Sequence, residues 1–201
     1  MDDRKVKIIL LGEYSSGKTS LIVRKNDNIF SNSYMSTIGV DFFSFKTIKD
    51  DKPILVHVWD TAGEEKFRFI IKSYFNGAQG ALLVFDLTNR NTFEKLDYWL
   101  EQLDSCTTDF KGKIVVVGAK SDLKSRREVS YEEAEEYCKI NQFTYLECSS
   151  KENINIDETF DILLNEIIKN SGVVSHQKYM ASFTIDEDDT VYKSKSCCVV
   201  Q

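Results

Sequence analysis

The sequence has 201 residues, more than one typical domain needs, so a globular domain with an appendage is the first expectation. Hydrophobic residues make up 42% and charged residues 29%, a composition that can fill a core and that excludes global disorder. The net charge of −6 provides no basic field for nucleic acid, and the apolar runs fall short of the roughly 18 residues of a membrane helix. The first residues, MDDR, predict neither an export signal nor myristoylation.

The first part of the chain alternates between apolar runs and polar stretches. A continuous apolar run predicts a buried strand, and a helical pattern begins after the Gly/Ser-rich stretch that follows it. Two further apolar segments have only five residues between them, too few for a crossover, so they are predicted to pair as an antiparallel hairpin. The predicted elements are strands over residues 5–11, 41–48 and 54–60, a helix over 18–25 and a loop over 26–39.

The second part alternates strands with amphipathic helices, a pattern typical of a parallel sheet covered on both faces. Strands are predicted over residues 80–87, 113–119 and 144–148, and helical faces over 93–103, 156–168 and after the capping box of Ser130 and Glu133. The expected fold is a three-layer α/β domain with a six-stranded, mostly parallel sheet and one antiparallel strand. Periodicity stops after residue 170, which predicts a domain over residues 1–170 and a flexible tail over residues 171–201.

A phosphate-binding motif follows the first predicted strand. Residues 12–19, GEYSSGKT, fit G-x-x-x-x-G-K-[ST] at the junction of that strand with a helix. In such a loop the backbone N–H groups surround phosphates, Lys18 adds positive charge, and the Thr19 hydroxyl can ligate Mg²⁺. The motif predicts a P-loop NTPase domain and leaves ATPases, nucleoside kinases and GTPases open.

Two later segments narrow the choice of nucleotide. Asp60 ends a predicted strand within WDTAG and suits Mg²⁺, and Gly63 leaves a backbone N–H free for a γ-phosphate. Asp122 follows another strand, and its carboxylate can accept hydrogen bonds from N1–H and the exocyclic amine of guanine, a pair that adenine lacks. Guanine is therefore favoured. A P-loop kinase is the distant alternative, and phosphate release without transfer to an acceptor would exclude it.

From residue 5 to about residue 170 the chain resembles the Rab family of Ras-like small GTPases. The segment STIGVDF, residues 36–42, resembles the family's effector-loop signature, and WDTAGEEKFR, residues 59–68, is similar to WDTAGQERF. SYFNGAQG at residues 73–80 follows the same pattern. The resemblance implies a switch in vesicle trafficking that binds GTP/GDP and Mg²⁺ and hydrolyses GTP.

The resemblance implies a role for each matched position. Thr37 would ligate Mg²⁺ and meet the γ-phosphate, Phe30 would pack on the guanine, and Lys120 would cover the ring system. Ser150 stands in the middle of Ser-Ser-Lys, where the family has Ser-Ala-Lys with a backbone N–H on the guanine oxygen. The implied nucleotide-binding residues are Ser15, Ser16, Gly17, Lys18, Thr19, Ser20, Phe30, Thr37, Gly63, Lys120, Asp122, Ser149, Ser150 and Lys151. The implied metal ligands are Thr19, Thr37 and Asp60, and the implied catalytic residues are Lys18, Thr37, Gly63 and Glu64.

Three positions depart from the family's pattern. Glu64 stands where the family has the Gln that orients the attacking water, and Tyr14 stands where it has a small residue beside the phosphates. Ala119 replaces the family's base-reading Asn. These departures lead to the hypothesis that hydrolysis is slow and that the nucleotide is bound more weakly and exchanges faster. Compensated drift is the plain alternative for Glu64 and Tyr14, and a nucleotide-binding scaffold with little or no turnover is the alternative function.

The chain ends in a cysteine pair. Cys197 and Cys198 resemble the Rab pattern that receives two geranylgeranyl groups, although Cys198-Val-Val-Gln also fits a C-a-a-X box for one. The other cysteines, Cys106, Cys138 and Cys148, lack metal-ligand spacing and are interpreted as inert thiols. The implied protein is a monomer that cycles between cytosol and the cytoplasmic face of an intracellular membrane. Its implied partners are effectors on residues 36–42 and 63–74, an exchange factor, an activating protein, and the prenylation and GDP-dissociation-inhibitor machinery.

Overall fold

The computed structural model describes residues 4–32, 36–63, 74–107 and 110–171. Along these ranges the elements are β1 (Arg4–Leu11), α1 (Lys18–Asp27), β2 (Val40–Lys49), β3 (Lys52–Thr61), β4 (Gly80–Asp86), α2 (Arg90–Glu94), α3 (Leu96–Cys106), β5 (Lys113–Ala119), a 3₁₀ turn (Lys124–Arg126), α4 (Tyr131–Asn141), β6 (Thr144–Glu147) and α5 (Ile156–Ser171). Within these ranges, no helix is long and apolar enough to cross a membrane.

The six strands form one sheet in the order β2-β3-β1-β4-β5-β6. All neighbouring strands are parallel except β2, which runs antiparallel to β3. One apolar cluster packs α1 and α5 on one face of the sheet, and a second packs α3 and α4 on the other. The predicted three-layer α/β architecture with one antiparallel strand is confirmed. The domain boundary at residue 170 stays a prediction, because residues 172–201 lie outside the described residues.

The β2–β3 hairpin is tighter than the sequence predicts. The expected five-residue link contains only two turn residues, Asp50 and Asp51, both with positive φ (49° and 58°), as a type I′ turn requires. Pro53 belongs to β3, where it lies opposite Ile48. The pairing of β3 with β1 begins one residue later, at Ile54, so the missing N–H of Pro53 falls outside that ladder.

The apolar helical face predicted over residues 93–103 is divided between α2 and α3, with the break at Lys95. The Asn89 side chain caps α2 by accepting a hydrogen bond from the backbone N–H of Asn91. Leu96, Trp99 and Leu103 of α3 remain buried in the cluster beneath the sheet. The predicted capping box is half formed, since the Ser130 hydroxyl accepts a bond of 3.1 Å from the Glu133 N–H.

The parallel strands all end at the same edge of the sheet, as a parallel sheet requires. The segments that follow β1, β3, β4, β5 and β6 therefore meet at this edge, where open α/β sheets form their ligand crevices. The motifs singled out in the sequence follow β1, β3, β5 and β6. Topology alone brings segments far apart in the chain to one place.

Candidate functional site

The loop between β1 and α1 has a backbone that only particular residues can adopt. Gly12 has φ 138° and lies so close to β4 that a Cβ there would collide with the Val84 carbonyl. Gly17, with φ 107°, is the N-cap residue of α1 and provides no capping side chain. The first N–H groups of α1 are thus left free of a side-chain cap at the point where the motif predicts phosphate.

Lys18 is buried beneath this loop. Its ammonium Nζ donates hydrogen bonds to the carbonyl oxygens of Gly12 at 2.8 Å and Glu13 at 2.9 Å, across the span of the loop. Burial lowers the pKa of Lys18 to about 8, partly opposed by the negative charges of Asp60 and Glu13. The site therefore contains a desolvated cation, which an anionic ligand would stabilise.

Three oxygen-bearing side chains converge beside Lys18. The Thr19 hydroxyl donates to Asp60 Oδ2 at 2.6 Å, and it lies 2.8 Å from the Thr37 hydroxyl. Asp60 is fully buried, and burial raises its pKa to about 6. Its Oδ1 atom has no hydrogen-bond partner among the described residues. A buried carboxylate oxygen without a partner, flanked by two hydroxyls, is a donor set that fits Mg²⁺.

A cavity of about 620 Å³ opens on the other side of the loop. Its volume is within the usual range for small-molecule and cofactor sites. Nine of the residues predicted to bind a nucleotide line it: Ser15, Gly17, Thr19, Ser20, Phe30, Lys120, Asp122, Ser150 and Lys151. Apolar side chains that the sequence did not single out complete the walls: Val23, Ile29 and Leu123.

Asp122 and Lys120 are held in place by bonds from neighbouring segments. Asp122 Oδ1 accepts a hydrogen bond of 2.7 Å from the hydroxyl of Ser149, which is fully buried and does not line the cavity. Lys120 Nζ donates to Asp86 Oδ2 at 2.6 Å and to the Ser15 carbonyl at 2.9 Å. The ends of β4, β5 and β6 are therefore tied to each other and to the phosphate-binding loop.

Two residues of this framework were not predicted from the sequence. Asp86 could have been noticed as an acidic residue that closes the buried strand β4. Arg24 has no such signal, because it reaches the backbone carbonyls of Ser150 and Lys151, and carbonyls leave no pattern in a sequence. Both contribute contacts between distant segments.

Gly63 lies directly against the phosphate-binding loop. A Cβ at this position would collide with the backbone of Glu13 and Tyr14, so no other residue fits without displacing that loop. The Tyr14 hydroxyl lies 3.3 Å from the Ser36 hydroxyl, next to Thr37. The loop is thus in contact with both segments that were predicted to be switches.

Several predicted residues do not reach the cavity or lie outside the described residues. Ser16, Lys18, Thr37 and Gly63 cluster at the loop without lining the cavity. Ser16 Oγ is buried without a hydrogen-bond partner among the described residues. The catalytic prediction Glu64 and the lipidation predictions Cys197 and Cys198 fall on residues that the structure does not describe.

The remaining departure and two of the three other cysteines do lie in described parts. Ala119 is 3% exposed and lines the cavity, so a methyl group stands where a side chain could hydrogen-bond a ligand. Cys138 and Cys148 are free and buried, and burial raises the pKa of each thiol to about 12. Both thiols are therefore protonated and poorly nucleophilic at neutral pH.

Comparison with known proteins places this site in a family. The Ras family model matches residues 7–169. The chain is 36% identical to Ras-related protein RabC of Dictyostelium discoideum, with 96% of each chain covered. It is 37% identical to GTP-binding protein YPT1 of Saccharomyces cerevisiae, covering 82% of this chain and 80% of that one. It is 42% identical to Ras-related protein Rab-1 of Theileria parva, covering 79% and 72%.

The lowered pKa of Lys18 predicts a pH dependence of phosphate binding. Above about pH 8 the free protein loses the ammonium proton, so the affinity for GDP should fall, approaching about tenfold per pH unit. Equilibrium titration of GDP between about pH 7 and pH 9 measures this dependence. The Lys18→Met variant is the matched control, because it keeps the titration of the base itself, and it should bind more weakly with a flatter profile. Identical profiles for the two proteins would contradict the prediction.

Proposed function

The chain belongs to the Rab family of Ras-like small GTPases, and we propose that it is a membrane-recruited, guanine-nucleotide-dependent switch in vesicle traffic. The observation that carries the proposal is the combination of the buried Lys18 and its neighbouring Thr19, Thr37 and Asp60 with a cavity that contains Asp122. One end of this arrangement suits phosphates and Mg²⁺, and the other suits a base that donates two hydrogen bonds to a carboxylate. Together these ends match a guanine nucleotide.

The nucleotide is assigned to the cavity and the loop beside it. Lys18 and the N-terminus of α1 bind its phosphates, and Asp122 accepts hydrogen bonds from the guanine. Phe30 and Lys120 line the base end, together with the Ser150 backbone. Thr19, Thr37 and Asp60 would hold Mg²⁺, which when bound neutralises phosphate oxygens.

Hydrolysis converts GTP and water into GDP and phosphate. Lys18 contributes positive charge as the bond to the leaving diphosphate breaks, and the N–H of Gly63 and the backbone of Thr37 hold the γ-phosphate. Glu64 occupies the position that orients the attacking water. A carboxylate there accepts hydrogen bonds and cannot donate one, and its charge opposes that of the phosphoryl group.

Slow turnover is the consequence that we propose for this chain. Tyr14 is 41% exposed and bridges toward Ser36, so its ring stands at the phosphate end, where a helper protein would insert an arginine. Glu64 reduces the intrinsic reaction and Tyr14 obstructs the assisted one. The GTP-bound state would therefore be long-lived.

Replacing Glu64 with Gln should accelerate GTP hydrolysis, because the amide restores a donor and removes a negative charge near the γ-phosphate. We expect an increase of about tenfold or more in the single-turnover rate, consistent with the usual contribution of a positioned catalytic group. The matched control is Glu65→Gln, which makes the same change one residue later. A wild-type rate equal to that of Glu64→Gln would refute the proposed slow hydrolysis.

Ala119 predicts weaker retention of the nucleotide. A buried hydrogen bond that is not made costs ~1–3 kcal/mol, so Ala119→Asn should slow GDP release by about ten- to hundredfold. Release of a fluorescent GDP analogue from both proteins measures the effect. Ala119→Val, which adds bulk without an amide, is the control and should not slow release. Equal release rates for wild type and Ala119→Asn would contradict the assignment.

A scaffold that binds nucleotide with little or no turnover is the second candidate. The observation that favours it is the presence of Tyr14 at the phosphate end and Ala119 at the base end of one site. The nucleotide content and GTP turnover of the purified protein separate the two candidates. Stable GTP in the protein with no release of phosphate over several hours would support the scaffold.

The segments beside the phosphate site provide a surface for effectors. Phe42, Trp59 and Tyr74 form a continuous aromatic row, in which Trp59 lies 4.9 Å from each of the other two ring centroids. Ile38 is 79% exposed and Phe42 is 49% exposed. These side chains belong to, or border, the regions over residues 36–42 and 63–74 that the nucleotide state would control. Exchange and activating proteins would approach the same regions.

Membrane attachment is proposed to be covalent and double, at Cys197 and Cys198. One lipid chain binds a membrane only marginally, whereas two give stable anchoring. Intact-mass analysis of the full chain expressed in a eukaryotic cell should show two geranylgeranyl groups. Cys197→Ser should carry no more than one group and shift toward the soluble fraction, whereas Cys106→Ser, the control, should retain both. A single group on the wild-type chain would contradict double attachment.

A further inference from the structure

Arg24 connects the two walls of the cavity without lining it. Its guanidinium leaves α1 and donates from Nε to the Ser150 carbonyl at 2.6 Å and from Nη2 to the Lys151 carbonyl at 3.2 Å. The remaining terminal nitrogen, Nη1, donates to the Asn28 carbonyl at 2.9 Å. One side chain therefore holds the segment after β6 against the C-terminal end of α1.

The same guanidinium faces the aromatic wall of the cavity. Arg24 Cζ lies 6.0 Å from the centroid of the Phe30 ring, within the range of a cation–π interaction. Phe30 lines the cavity from the segment after α1, and Ser150 and Lys151 line it from the segment after β6. Arg24 thus contacts both segments from behind, where it is itself half-buried.

The contact with Ser150 also fixes the direction of a backbone donor. In a trans peptide the carbonyl and the following N–H point in opposite directions. Because the Ser150 carbonyl points toward Arg24, the N–H of Lys151 points away from the guanidinium. A donor oriented in this way can meet an acceptor on the ligand, whereas a free loop could rotate this peptide.

We propose that Arg24 is a positioning residue for the purine base: it orients the peptide of residues 150–151 toward the 6-oxo group of guanine and holds Phe30 beside the ring. This inference rests on the proposed function, since it assumes that the cavity binds a guanine nucleotide. It assigns to Arg24 control of the release rate and of selectivity for the oxygen on the base. The phosphate contacts of Lys18 do not depend on it.

The test compares GDP with 2-aminopurine ribonucleoside 5′-diphosphate, which keeps the exocyclic amine and lacks the 6-oxo group. In the full chain, Arg24→Met should accelerate GDP release by about tenfold or more, because two hydrogen bonds from a charged donor are lost. Release of the 2-aminopurine nucleotide should change by less than about twofold, because the oriented N–H has no oxygen to bind. Arg24→Lys should give an intermediate increase for GDP, since an ammonium can replace only part of the fork.

Lys25→Met is the matched control. Lys25 is the next residue of α1 and pairs with Asp157 and the ring of Phe45, away from the cavity. This variant should release GDP at the wild-type rate, within about twofold, because it removes a charge from the same helical turn without touching residues 150–151.

The outcomes separate the proposal from its premise. Equal acceleration for both nucleotides would overturn it, because general loosening of the fold would act on either ligand. Unchanged GDP release from Arg24→Met would overturn it as well. If Arg24→Met does not fold, the ratio of the two release rates for Arg24→Lys decides in the same way. A wild-type chain that does not bind GDP at all would instead refute the proposed function.

Discussion

The site is organised around a positive charge buried without a carboxylate bonded to it. Lys18 Nζ is held by two loop carbonyls, and burial lowers its pKa to about 8. A buried charge that has only neutral partners is costly, and the glycine conformations at Gly12 and Gly17 are what allow the loop to wrap it. An anion at the N-terminus of α1 would complete the missing half of this interaction. The loop is therefore shaped for a ligand it must bind to be fully stable.

The rest of the site consists of bridges that fix this loop relative to the sheet. Lys120 joins the end of β4 to Ser15, Ser149 supports Asp122, and Arg24 joins α1 to the segment after β6. Each bridge connects the carboxyl end of one element to the next, so the walls of the cavity move together. Such bridges are partly shielded from water; Asp86, for example, has a side chain that is only 8% exposed in its pair with Lys120.

The fold and the phosphate site could be predicted from the sequence because their signals are local. The motif ending in Lys18 and Thr19 is contiguous, and the buried strands are continuous apolar runs. Pro53 was placed in the turn because it usually breaks strands, and only the register with β1 explains why β3 tolerates it. The contact of Arg24 with Ser150 spans 126 positions and ends on a carbonyl, so nothing in the sequence predicts it. The pairing of Lys120 with Asp86 is similarly non-local.

The close approach of Gly63 to the loop at Glu13 and Tyr14 has a consequence for how this sequence can vary. Because backbone touches backbone there, the two segments share one volume, and a change in the shape of either is imposed on the other. An added methyl group at residue 63 would therefore act as a mutation of the phosphate-binding loop 50 positions earlier in the chain. The two motifs are separate words in the sequence and a single inherited unit in space.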